Sequence, residues 1–169
     1  MGSQKTHKTV MKSLRWTVTW VLLIVLPSAY AIYNIFQPEQ FPIRFFRGEV
    51  TQVANTLLLG PYPTEQEIKR LKRLGVTEVI SLLDPSMPFE APLIDKEKQL
   101  MEKYHLAFQS VPLYYLPNLN SQENLARVEK LVEYLRNNAR KRYVHCYLGR
   151  HRTTLLKKLY LQAISDDGP

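Results

Sequence analysis

The run His145-Cys146-Tyr147-Leu148-Gly149-Arg150-His151-Arg152-Thr153 places the only cysteine of the 169-residue chain between a short β-rich segment and an amphipathic one. A strand that ends on a thiol and turns tightly into a helix lets successive backbone amides curl around one anion-sized hollow. The positive end of the helix dipole adds to their field. Such a field favours the thiolate, the reactive form, and makes Cys146 a candidate nucleophile. Gly149 allows the tight bend, and Arg152 offers a bidentate grip on two phosphate oxygens that persists into the transition state. Thr153, at the start of the helix, is placed to donate a hydrogen bond to the sulfur as it leaves in a second step. The amides of Tyr147, Leu148, Gly149, Arg150, His151 and Arg152 would line the cradle. The competing explanation is a packing cysteine followed by a solvated basic turn.

Several elements must hold this loop in place. Val53 to Leu59 reads as a strand ended by the turn Gly60-Pro61-Tyr62-Pro63. Thr64 and Glu67 form a capping box, after which Ile68, Leu71 and Leu74 repeat at helical spacing as far as Gly75. Val76 to Leu83 is a second strand, Leu93 to Tyr104 a helix and Ala107 to Leu113 a third strand. Ser121 caps a helix carrying Leu125, Val128, Leu131, Val132 and Leu135; Arg142 to His145 is the strand entering the cysteine, and Thr153 to Ile164 the last helix. This alternation predicts an α/β fold, a mainly parallel central sheet flanked by helices, with ligands at the carboxyl ends of the strands. The cysteine falls at such an end.

His-Cys, five residues, Arg and then Ser or Thr is the signature of the cysteine-dependent protein-tyrosine and dual-specificity phosphatases, which the chain resembles over about residues 50 to 161. The runs LLLGPYP and LKRLGVTEVISL are similar to the entry of dual-specificity members. The resemblance implies a phosphocysteine intermediate hydrolysed by water, with no metal or other cofactor, Cys146 as nucleophile and Arg152 as phosphate binder. It implies a phosphorylated protein or a small phosphoester as partner. The added basic charge of Arg150 and His151 resembles phosphoinositide-dephosphorylating members.

Relatives carry an aspartic acid in the loop after the third strand to protonate the leaving oxygen, whereas residues 111–120 here, VPLYYLPNLN, contain no carboxylate. Asp84, Glu123 and His151 are the candidate replacements. If none serves, the alternative is a catalytically weak pseudophosphatase that binds phosphorylated ligands. Thr154 stands where relatives often have a small residue, and the short tail after the last helix leaves room for a partner that completes the C-terminus.

Before this domain, Trp16 to Phe36 is uncharged, apolar and aromatic at both ends, long enough as a helix to cross a bilayer. Pro27 followed by Ala29-Tyr30-Ala31 also matches a signal-peptidase site. The expected organisation is a basic cytoplasmic tail (1–15), a transmembrane helix or signal anchor (16–36), a linker (37–49) and a phosphatase-like domain (50–165). Lys5, Lys8, Lys12 and Arg15 precede the span, which places the domain outside the cytoplasm at a single-pass cell membrane. The cytoplasmic side, or secretion after cleavage, are the alternatives. The formal charge of +8 resides largely in that tail and on exposed helix faces such as Lys69, Arg70, Lys72 and Arg73, so no nucleic-acid partner is expected. A single cysteine excludes an intramolecular disulfide.

Overall fold

The computed structural model describes residues 3–35, 37 and 43–166, with residues 3–14 and 35 described by their backbone alone. The chain divides into two compact units, Met1–Gln37 and Pro38–Pro169.

The first unit is one helix, α1 (Ser3–Ile35). Its stretch Arg15–Asn34 is 20 residues long with mean hydropathy 1.6, long and apolar enough to cross a membrane, a property that an N-terminal signal sequence shares. Pro27 lies inside it. Proline forfeits one backbone donor, the one that would pair with the Leu23 carbonyl. The Ser28 Oγ here donates to the carbonyl of Ile24 at 2.7 Å.

The second unit is built on five strands, β1 (Thr51–Ala54), β2 (Leu57–Pro61), β3 (Glu78–Ser81), β4 (Ala107–Ser110) and β5 (Arg142–Cys146), in spatial order β1-β2-β5-β3-β4. The pairings β2–β5, β5–β3 and β3–β4 are parallel, but β1 runs antiparallel to β2, so the sheet is mixed. The single strand expected from Val53 to Leu59 is broken at Asn55-Thr56. Two polar residues, one a turn-favouring asparagine, reverse the chain into a hairpin that an apolar count across the break does not reveal.

Residues alternate between the two faces of the sheet. Leu57, Leu59, Ile80, Val144 and Cys146 pack with Val128, Leu131 and Leu135 of α5 (Gln122–Arg136) and Leu156 and Tyr160 of α6 (His151–Ser165). Leu58, Val79 and Tyr143 pack on the other face with Ile68 and Leu71 of α3 (Glu65–Arg73) and Met101 of α4 (Ala91–Tyr104). Both faces are therefore covered, and all five residues of β5 are buried.

The helix ends follow the local signals. The Thr64 hydroxyl accepts from the Glu67 amide while the Glu67 carboxylate accepts from the Thr64 amide, and Ser121 caps α5 through the Asn124 amide. Within the stretch read as a linker, the four-residue helix α2 (Ile43–Phe46) leads to residues bonded to this unit. The Arg47 guanidinium donates to the Tyr62 carbonyl at 2.6 Å and to Glu67 at 2.8 Å, and the Gly48 amide donates to the Leu148 carbonyl at 2.8 Å.

Candidate active site

The central strand β5 ends on Cys146, whose backbone pairs with Pro61 of β2, and the loop 147–150 then turns into α6. Gly149 has φ 68°, and a Cβ there would fall 2.3 Å from the Pro61 nitrogen and 2.5 Å from the Gly60 carbonyl carbon. Only glycine satisfies both the left-handed backbone and the close approach. Cys146 is 3% exposed, and its sulfur lies 3.9 Å from the Thr153 hydroxyl, which is turned toward it from the first turn of α6.

Arg152, one residue before Thr153 in the same helical turn, is buried. Its Nη1 donates to the Leu82 carbonyl at 2.9 Å, to the Leu113 carbonyl at 3.3 Å and to Glu90 Oε2 at 2.9 Å, and Nη2 donates to Glu90 Oε1. The guanidinium thus ties together the segments that leave β3 and β4. Burial pulls its pKa down, but the Glu90 hydrogen bond and charge, joined by the interaction with Cys146, outweigh this and the net shift is upward. Its Nε is buried without a hydrogen-bond partner. A charged buried nitrogen left unpaired beside a sulfur is where an oxyanion would bind with profit.

Around this pair stand aromatic rings. The Tyr115 ring lies 5.7 Å from the guanidinium carbon, and its hydroxyl is 3.3 Å from His151 Nδ1. Tyr147 packs edge-on against Phe89, and burial, then the charge of Glu90, push its hydroxyl up to about 12. Leu148 and Gly149 are half-buried, while Arg150 and His151 are exposed.

The structure therefore brings Cys146, Arg152 and Thr153 to one point and lays His151 at its rim against Tyr115. The two carboxylates proposed from sequence are otherwise engaged. Asp84 is buried, with Oδ1 accepting from the Ser86 amide at 2.9 Å, and its own amide donates to Glu90 at 2.7 Å. Glu123 is paired with Arg127 and meets the Tyr114 hydroxyl at 3.3 Å.

Sequence reasoning missed Glu90, Glu97, Asn124 and Tyr115. Glu97 is fully buried and hydrogen-bonded to Nε2 of His145, the residue before the nucleophile. It shares a face with the buried Leu93, Ile94 and Met101 of α4, and a carboxylate at that spacing was the available signal. Glu90 sits at the N-cap position of α4 without capping it, its side chain shared between Arg152 and the Asp84 amide. Asn124, buried on the first turn of α5, accepts from the Tyr114 amide and donates to the carbonyls of Tyr114, Asn118 and Leu119. It fixes the loop that follows β4.

No family model matches the chain. Among curated proteins it is 29% identical over 113 residues to the phosphatidylglycerophosphate phosphatase PTPMT2 of Arabidopsis thaliana, covering 65% of this chain and 46% of that protein. It is 30% identical over 119 residues to PTPMT1 of the same plant, covering 65% and 31%. The chain thus spans less than half the length of these curated relatives. In solved structures it superposes on a DUF442 phosphatase-type protein of Shewanella putrefaciens with TM-score 0.57 at 23% identity, covering 71% of this chain and 74% of that one. On TpbA of P. aeruginosa the values are 0.52, 21%, 69% and 64%. The chain has the cysteine-dependent phosphatase fold. The core catalytic domain of the PP-IP phosphatase SIW14 of S. cerevisiae shares this phosphatase fold with TM-score 0.54 at 15% identity, over 71% of this chain and 68% of that domain.

Proposed function

We propose that the protein is a phosphomonoester hydrolase of the tyrosine/dual-specificity type, held at a membrane by residues 16–36, with residues 50–165 as the phosphatase domain. The observation that carries this reading is the buried Arg152, clamped by Glu90 at the end of β5 with Nε unpaired and in electrostatic contact with Cys146. The Cys146 sulfur attacks phosphorus, the bond to the leaving oxygen breaks, and a phosphocysteine forms. Water then attacks phosphorus, and the sulfur leaves as thiolate with the Thr153 hydroxyl donating to it. Arg152 and the amides of residues 147–152 hold the equatorial oxygens, whose charge they neutralise in both steps. His151 is the candidate for the proton that the leaving oxygen needs, since it borders the cradle with its ring held by Tyr115.

The substrate remains a phosphorylated protein or a small phosphoester. Exposed Arg150 and His151 favour a multiply charged ligand such as a phosphoinositide as a second reading, and the curated relatives are named for a lipid phosphate. TpbA has been crystallised with pTyr, which keeps an aryl phosphate first. The domain is proposed to face away from the cytoplasm, on the charge of the N-terminal tail.

The test is hydrolysis of an aryl phosphate by the detergent-solubilised full chain beside Cys146→Ser. Turnover that vanishes in the variant, with a phosphocysteine trapped by rapid acid quench of the parent, is the expected result. Phosphate-dependent binding with no turnover in either protein would replace the enzyme by a pseudophosphatase.

A further inference from the structure

A groove of about 980 Å³ opens between α2 and α3, on the part of the domain where the Gly48 amide bonds the Leu148 carbonyl and Arg47 bonds the Tyr62 carbonyl. Its lining includes the buried Leu58 and Leu71, the exposed Leu74, and the cations Arg44, Arg47 and Arg70. A second, smaller cleft of about 690 Å³ shares Arg44, Arg47, Glu67 and Arg70 with it and extends along α3 to Arg73. None of this is used by the chemistry at Cys146.

The groove's charges divide into spent and unspent groups. Glu67 is taken by Arg47 and by the capping box, and Glu65 by Lys103, Tyr104 and the more distant Lys69, whose hydrogen bonds and charges hold its carboxyl down at about 2. Glu49 is exposed at the rim. Arg44, Arg70 and Arg73 are exposed and have no carboxylate partner among the described residues. Arg47, whose side chain is only 8% exposed, keeps its Nε buried without a hydrogen-bond partner. Beside these cations Phe45 is 78% exposed and Phe46 55% exposed, stacked edge to face.

A bare aromatic pair beside the unpaired Arg44 and Arg70 is poorly suited to water and well suited to a bilayer interface, where rings sit at headgroup depth and guanidiniums meet phosphates. Only residues 36–42 separate α2 from α1 in the chain, a stretch that reaches about 25 Å at most. We propose that this groove is a binding site for an anionic phospholipid of the bilayer. Its phosphate lies against Arg44, Arg47 and Arg70, its acyl region on Leu58, Leu71 and Leu74, and Phe45 and Phe46 dip into the interface beside it. This goes beyond the hydrolase reading. It rests on α1 spanning the membrane but not on any chemistry at Cys146.

The test reconstitutes the full chain into vesicles whose lipids carry brominated acyl chains, a contact quencher of tryptophan. Native Trp16 and Trp20 report insertion of α1. In a second protein, with Trp16→Phe and Trp20→Phe, Phe46→Trp reports the groove face. With phosphatidylglycerol present, the Phe46→Trp reporter is expected to shift to the blue and to be quenched. Arg44→Glu with Arg70→Glu is expected to weaken lipid engagement of the reporter by about tenfold or more, at about fivefold per arginine, and pure phosphatidylcholine to weaken it comparably. Equal quenching in the two lipids, or quenching indifferent to the charge reversals, would mean that the tether alone brings the face near lipid and would overturn the site. Unquenched Trp16 and Trp20 would overturn it at its premise. In each case aryl phosphate hydrolysis by the same samples reports separately on Cys146.

Discussion

Two buried arginine–glutamate pairs stand at opposite ends of the same sheet, and they do different work. At the amino end, Arg142 of β5 is in register with Glu78 of β3 and donates to it through Nε at 2.6 Å. Tyr134 stacks over that guanidinium at 4.7 Å, and the carbonyls of Asn138 and Arg140 accept from it at 3.1 Å. At the carboxyl end, Arg152 is gripped by Glu90 and by two strand-end carbonyls. Each guanidinium retains one buried nitrogen without a partner, Nη2 of Arg142 and Nε of Arg152. An unpaired nitrogen alone therefore does not mark a site. The difference lies in the surroundings: Arg142 is enclosed by the start of a strand and the end of a helix, whereas Arg152 stands beside a thiol, a glycine-bent loop and a helix N-terminus. The first pair joins the starts of two neighbouring strands; the second holds a buried cation beside the thiol.

The largest expected effect separates charge from chemistry at the carboxyl end. Arg152→Met leaves Glu90 buried without its counter-ion, which should cost about 3–5 kcal/mol of stability. Turnover should fall about 10³-fold if Arg152 neutralises the transferring phosphoryl as proposed. Adding Glu90→Gln removes the stranded charge, so the double variant is expected to regain much of the melting temperature while staying inactive. Thermal unfolding and aryl phosphate kinetics on the same full-length samples measure both. A double variant that recovered turnover would show that Arg152 merely braces the loop, as Arg142 braces the strands.

The amino end should give the mirror result. Glu78→Gln strands Arg142 and is expected to lower stability by about 3–5 kcal/mol. At temperatures where the variant is still folded, kcat per folded molecule should match the parent. A kcat that dropped with the fold intact would show that strain at Glu78 travels the length of β3 and β5, and the contrast between the two ends would fail.

Local signals were legible in the sequence and long-range ones were not. The capping box of Thr64 and Glu67, the Ser121 cap and the passage from strand through Cys146 into α6 are each specified within a few residues, and each stands where the spacing predicts. Glu90 lies among Pro88, Ala91 and Pro92 and reads as loop; its importance comes from Arg152, 62 positions later. Asn124 looks like an ordinary first-turn residue until the chain from Tyr114 to Leu119 folds back onto it. The hairpin at Asn55-Thr56 was hidden for the opposite reason, because apolar residues on both sides of a two-residue break imitate one strand. Only tertiary pairing reveals which polar residues are reserved for a distant partner.

The smallest expected effect tests the proton at the rim. Tyr115→Phe removes the hydroxyl that meets His151 Nδ1 but leaves a ring over the Arg152 guanidinium. Losing one such hydrogen bond, worth about 0.5–1.5 kcal/mol, should slow turnover by about twofold to tenfold if His151 supplies the leaving group's proton. An alkyl phosphate needs that proton more than an aryl phosphate with an acidic phenol, so the slowing should be concentrated in the alkyl ester. Equal slowing of both esters would instead mean that Tyr115 positions the loop. A proton donor would then have to be sought outside the pair. Nothing comparable is expected at the amino end, where Tyr134 also meets a buried partner but no bond is broken, so Tyr134→Phe should alter stability alone.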